Sequence, residues 1–94
     1  MRTYEVMTIW RPDLAETDVR AQVAEMEELL RSKGAEITSS DFWGKRRFAY
    51  EIDHLTEGFY AVIEFRGEGQ AVEELDRGLS LSDRVLRHKV MRQD

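Results

Sequence analysis

Trp43-Gly44-Lys45-Arg46-Arg47-Phe48-Ala49-Tyr50 interleaves three cations with three aromatic rings. Lys and Arg neutralise phosphates, and guanidinium groups and aromatic rings stack on unpaired bases, so this run carries the chemistry of a nucleic-acid contact. Gly44 would let an extended chain bulge and re-aim the side chains that follow it. The same run also suits an edge strand in which Lys45, Arg46 and Arg47 prevent edge-to-edge pairing, and the two readings are compatible. A second basic stretch sets Arg84, Arg87, Lys89 and Arg92 among Val85, Val90 and Met91. Arg84 reads as solvated charge. Arg87 and Lys89 read as binding groups that share one side of a strand, with pairing of Arg87 to Glu5 across a sheet as the alternative.

Catalytic chemistry has little to work with. There is no cysteine, which removes thiolate catalysis, disulfides and cysteine-ligated metals. His54 and His88 are the only histidines and lie in no triad or metal-ligand spacing. Ser39, Ser40, Ser80 and Ser82 lack an elbow motif. Glu25, Glu27 and Glu28 read as the solvated side of a helix. Gly67-Glu68-Gly69 lacks the rest of a phosphate-binding pattern. The expectation is no catalysis, no metal and no cofactor.

The elements that would position the basic groups follow from periodicity. Tyr4 to Trp10 is β-branched and aromatic and stops at Arg11-Pro12-Asp13, which reads as a strand and a turn. Leu14, Val19, Val23, Met26 and Leu30 recur at helical spacing, predicting a helix over 16–33 with Thr17 as cap and Gly34 as stop. Residues 35–52 form a long extended region broken at Gly44, with Phe48, Tyr50 and Ile52 on one face. Asp53 to Gly58 reads as a polar hairpin connection, and Phe59 to Phe65 as the strongest strand. Val72, Leu75 and Leu79 mark a shorter helix over 70–79, and residues 84–92 a basic last strand.

Strand–helix–strand–strand–helix–strand with right-handed crossovers predicts an α+β, ferredoxin-like split βαβ domain over 1–94, a four-stranded sheet with both helices on one face. Alternation then sends Val6, Phe59, Ile63, Phe65 and Val90 to the helices. It sends Glu5, Met7, Ile9, Tyr60, Val62, Glu64, Arg87, Lys89 and Met91 to an open face whose mixed character suits docking.

Net charge is −5, which argues against a nonspecific nucleic-acid binder. The distribution says more. Residues 13–36 hold seven acids and three bases, and 68–83 five and one, while 43–50 hold three bases and no acid, and 84–94 four bases and one acid. Basic surface can still face RNA if the acidic stretches point elsewhere. No apolar segment approaches the length of a membrane span and nothing near Met1 reads as a signal peptide, so a soluble, cytoplasmic protein is expected.

Three stretches carry a family resemblance: Met1-Arg2-x-Tyr4-Glu5-Val6, Trp43 to Ile52, and Leu81-x-Asp83-x-Val85-Leu86-Arg87-x-Lys89-Val90-Met91-Arg92. In order and spacing they resemble bacterial small-subunit ribosomal protein six. The resemblance implies the same ferredoxin-like fold and a non-enzymatic role on the ribosome. It also implies contact with the central domain of small-subunit ribosomal RNA, made as a heterodimer with the small basic small-subunit protein eighteen. By position it adds Arg2 to Lys45, Arg46, Arg47, Arg87, Lys89 and Arg92 as RNA or partner contacts, and offers Tyr4, Trp43, Phe48 and Tyr50 for partner packing or its support. A ferredoxin-like small enzyme of acylphosphatase type, or a ligand-sensing module, is the alternative. Arg11 follows the first strand as an acylphosphatase would need, but the chain has no asparagine.

Overall fold

The computed structural model describes residues 1–94. The elements are β1 (Arg2–Trp10), α1 (Glu16–Ser32), β2 (Glu36–Ile52), β3 (Leu55–Gly67), α2 (Gly69–Leu81) and β4 (Val85–Arg92). Every strand pair is antiparallel and the spatial order is β2-β3-β1-β4, the expected split βαβ arrangement. Both basic stretches therefore lie on edge strands. No helix is long and apolar enough to cross a membrane.

The core forms where the two helical stripes meet the alternate residues of the central strands. Val19, Val23, Met26 and Leu30 of α1 and Ala71, Leu75 and Leu79 of α2 cover Val6, Trp10, Phe59, Ala61, Ile63 and Phe65. Val90 is half-buried against this cluster, on the expected side. The indole N–H of Trp10 donates to Thr8 Oγ1 at 2.8 Å, and the Thr8 hydroxyl donates to the Ala61 carbonyl at 3.3 Å. The two buried polar side chains in the core are thus satisfied, which removes a desolvation penalty of about 1–3 kcal/mol each.

The helix ends show where sequence expectation and structure part. Ala15, not Thr17, occupies the N-cap of α1, and no side chain caps it. Glu16 and Asp18 in the first turn meet the positive end of the helix dipole instead. The C-terminal stop is as expected. Gly34 takes φ +83°, its N–H donates to Arg31 O at 3.0 Å, and Ala35 N–H donates to Leu30 O at 3.0 Å. This is a Schellman closure, which favours glycine at the left-handed position. Helix α2 runs two residues past the expected end, to Leu81.

The β2–β3 connection is tighter than the expected six-residue loop. Only Asp53 and His54 turn the chain, both left-handed at φ 51° and 65°, between the paired Ile52 and Leu55. That is the primed two-residue geometry whose twist matches the flanking strands. Leu55–Gly58 belong to β3. Gly58 lies where three groups converge: a methyl group there would sit 2.7 Å from the Trp10 carbonyl oxygen, 2.9 Å from Phe48 Cζ and 3.0 Å from Ile9 Cγ2. Gly58→Ala should therefore cost about 1–3 kcal/mol, because a backbone oxygen must move. Urea unfolding measures it; an unchanged midpoint would show that the arm yields freely.

Candidate nucleic-acid interface

The face of the sheet away from the helices is built by cross-strand rows. Glu64, Glu5 and Met91 form one row, Val62, Met7 and Lys89 the next, and Tyr60, Ile9 and Arg87 the third. Strand β2 adds Ser39 beside Glu64, Asp41 beside Val62 and Gly44 beside Tyr60. One end of this face is thus acidic and the other aromatic and cationic. The two helices carry eight carboxylates against three cations, equal to the net charge of the whole chain, so the rest of the molecule is neutral on balance. The excess of acid over base is carried by the helices.

The aromatic end is made by a bulge. The β2–β3 register shifts between Phe42 and Gly44, and Gly44 takes φ +85°. The extra residue turns Trp43 onto the open face, where its ring stacks on Tyr60 at 5.9 Å and 8° between planes. Arg46 places its guanidinium carbon 5.7 Å from the Trp43 ring centre, and Phe48 tilts against the other partner, Tyr60, at 6.1 Å. Tyr60 is the member the sequence reading did not single out. Its signal was alternation with the buried Phe59 in β3.

The three adjacent cations do not share one face. Arg46 pairs with Gly58 on the open side, while Lys45 and Arg47 pair with Phe59 and Glu57 and emerge on the helix side. Lys45 Nζ lies 5.0 Å from the Phe59 ring centre. The three straddle the β2 edge, all exposed. Beyond Arg47 the register slips again up to Ile52, so the expected period-two face of Phe48, Tyr50 and Ile52 does not form. Phe48 is half-buried over Gly58, whereas Tyr50 is 85% exposed.

Arg87 and Lys89 lie on the open face with Met7 and Ile9, around a shallow depression of about 300 Å³. Arg87 pairs with Asp53 at 3.6 Å, not with Glu5. The contact carries the tip of the β2–β3 arm across the end of β1, and Ile9 is 8% exposed although it faces the open side. Arg2, Tyr4 and Arg92 fall elsewhere. Tyr4 stacks on Phe65 at 5.5 Å on the helix side, and Arg2 and Arg92 lie at the opposite end of the sheet from Trp43. Arg92 is engaged by Asp94 at 3.3 Å. The Thr3 N–H, and then Arg92, hold that carboxyl below its usual range.

Seven of the fourteen Lys and Arg side chains have no carboxylate within 4.0 Å: Arg2, Lys45, Arg46, Arg47, Arg77, Arg84 and Lys89. Four of them stand on the β2 edge or the open face. Arg11, the group an acylphosphatase reading would need, is paired with Asp13 at 3.5 Å. His54 is exposed in the turn, and His88 meets Asp76 of α2 at 2.8 Å.

The profile of the family described as Ribosomal protein S6 matches residues 3–92. The chain belongs to the ribosomal protein S6 family. It is 47% identical to the small ribosomal subunit protein bS6 of Symbiobacterium thermophilum, over 98% of this chain and 97% of that protein. It is 44% identical to the bS6 protein of Carboxydothermus hydrogenoformans, over 100% and 98%. The crystal structure of 30S ribosomal protein S6 from Thermotoga maritima superposes with a TM-score of 0.92 at 31% identity, covering 98% of this chain and 87% of that one. The S6 family is a family of structural small-subunit proteins, not of enzymes, which sets the acylphosphatase reading aside.

Proposed function

We propose that this S6-family chain binds the central domain of small-subunit ribosomal RNA together with small-subunit protein eighteen, working on the ribosome in the cytoplasm. RNA takes the Trp43 end of the open face and the β2 edge; the basic partner protein takes the acidic end. The observation that carries the reading is the group of cations without carboxylate partners beside exposed aromatic rings. Such cations can exchange bound counterions for phosphates without first breaking an internal ion pair. Lys45, Arg46, Arg47 and Lys89 are the primary RNA contacts, with Arg87 joining by leaving Asp53. Trp43 and Tyr50 belong to the same surface and Phe48 supports it through Tyr60, whereas Tyr4, on the helix side toward the far end of the sheet, steadies the core through Phe65.

The acidic end supports the partner assignment. Glu5 and Glu64 face each other directly across β1 and β3, half-buried, with no cation within 4.0 Å, and Asp41 stands nearby on β2. Like charges in register cost the free protein roughly 0.2–1 kcal/mol. A basic partner would relieve the repulsion. Glu64→Gln should therefore raise the unfolding midpoint of the isolated protein while weakening its complex with protein eighteen, measured by calorimetric titration. Tighter or unchanged partner binding would remove the acidic end from that interface.

Reconstitution tests the function as a whole. Small subunits assembled from a mixture of wild type and Arg46→Glu/Arg47→Glu protein should retain the wild type and exclude the variant. Equal retention would contradict the RNA assignment of the β2 edge.

A further inference from the structure

We infer that Arg46, Trp43 and Tyr60 form a stacking site for one unpaired RNA base, with the base lying on the outer face of the Arg46 guanidinium. The inference rests on the RNA-binding reading above and assigns this part of the surface a specific ligand, a single-stranded nucleotide.

Three observations carry it. The first is order. The Tyr60 and Trp43 rings are nearly parallel, at 8°, and the Arg46 guanidinium carbon lies over the Trp43 ring, 5.7 Å from its centre. A planar cation held over an indole presents a second planar face outward, and a base completes that kind of arrangement through stacking and cation–π attraction. The second is availability. Arg46 makes no side-chain hydrogen bond and no ion pair, and Trp43 keeps 44% of its surface accessible on an edge strand. The third is rigidity. The bulge at Gly44 fixes Trp43, and Tyr60 sits on the central strand β3 with Phe48 against it. The stack exists before the ligand arrives, so little side-chain entropy is lost on binding.

Charge decides between RNA and protein as the occupant. Lys45, Arg46 and Arg47 would repel a basic protein at this end, whereas each can take a phosphate flanking the stacked base. A phosphate alone would not need the aromatic rings, and an arginine that met only phosphate would bind as well after Trp43→Ala. That difference makes the inference testable.

The experiment titrates the chain, together with protein eighteen, with a central-domain RNA fragment, following both gel shift and tryptophan emission. Trp43→Phe is the control that assigns the signal, since the other tryptophan, Trp10, is 1% exposed in the core. RNA should quench the Trp43 emission, and the partner alone should leave it unchanged. Arg46→Lys, which keeps the charge and loses the plane, should weaken RNA binding about tenfold. The slope of affinity against salt should stay the same. Trp43→Ala should weaken binding similarly, and Trp43→Phe only slightly, with circular dichroism unchanged in all three. The site is refuted if RNA binds while Trp43 emission stays constant, or if Arg46→Lys binds like wild type. Shielding of Trp43 by the partner alone also refutes it and gives the surface to protein. Absence of any RNA binding refutes the wider reading first.

Discussion

Mixed with a central-domain fragment of small-subunit ribosomal RNA, this chain and protein eighteen together should bind at least about a hundredfold more tightly than this chain alone. The reason lies in the charge map. A molecule of net charge −5 whose helices hold eight carboxylates repels RNA at long range, and only four of its seven free cations lie on the β2 edge or the open face. Alone, it neutralises few phosphates. A basic protein seated on Glu5, Glu64 and Asp41 reverses the field beside the Trp43 end. It also makes the second RNA contact intramolecular, and effective concentration then supplies the gain without any new contact in this chain. A gel-shift titration with each protein and with both, at several salt concentrations, measures it. Equal affinity of this chain alone and the pair would contradict the mechanism.

Reversing two charges should separate binding from folding. Arg46 and Arg47 are exposed and form no ion pair, so Arg46→Glu/Arg47→Glu should change stability by about 0.5 kcal/mol or less. Binding of the pair to RNA should weaken by about two orders of magnitude. Two phosphate contacts are lost, and the slope of log K against log salt should flatten by about 2. Global unfolding of the variant would show that the arginines are structural. A fall in affinity with an unchanged slope would show that they do not meet phosphates.

Much of this was legible in the sequence because burial and strand period are strong signals. Val6, Phe59, Ile63 and Phe65 alternate onto the helix side, and Val19, Val23, Met26 and Leu30 make one helical stripe, so topology and open face followed. The turn was harder to read. Asp53-His54 takes left-handed angles usually carried by Asn-Gly, and the polar look of residues 53–58 hid that Gly58 is buried in β3. The cap of α1 was misplaced because Thr17 has the right chemistry, but helix geometry already begins at Glu16.

The site was legible as composition and not as geometry. Adjacent residues in a strand point to opposite faces, so Lys45-Arg46-Arg47 could not be assigned to one surface without the register. The register itself depends on two irregularities, at Gly44 and between Arg47 and Ile52. The Trp43–Tyr60 stack and the Asp53–Arg87 contact join residues distant in sequence, and no local pattern announces them.

Hydroxyl-radical footprinting of the protein, free and in assembled small subunits, tests most directly whether the Trp43 end of the sheet is the buried working surface. In the free chain Trp43, Tyr50 and Leu81 are exposed, at 44%, 85% and 80%, and they lie on two different sides of the molecule. In the particle, oxidation of Trp43 and Tyr50 should fall several-fold, while Leu81 at the end of α2 stays as reactive as in the free protein. Protection of Leu81 with undiminished oxidation of Trp43 and Tyr50 would show that the helix side is the interface, and would contradict the account.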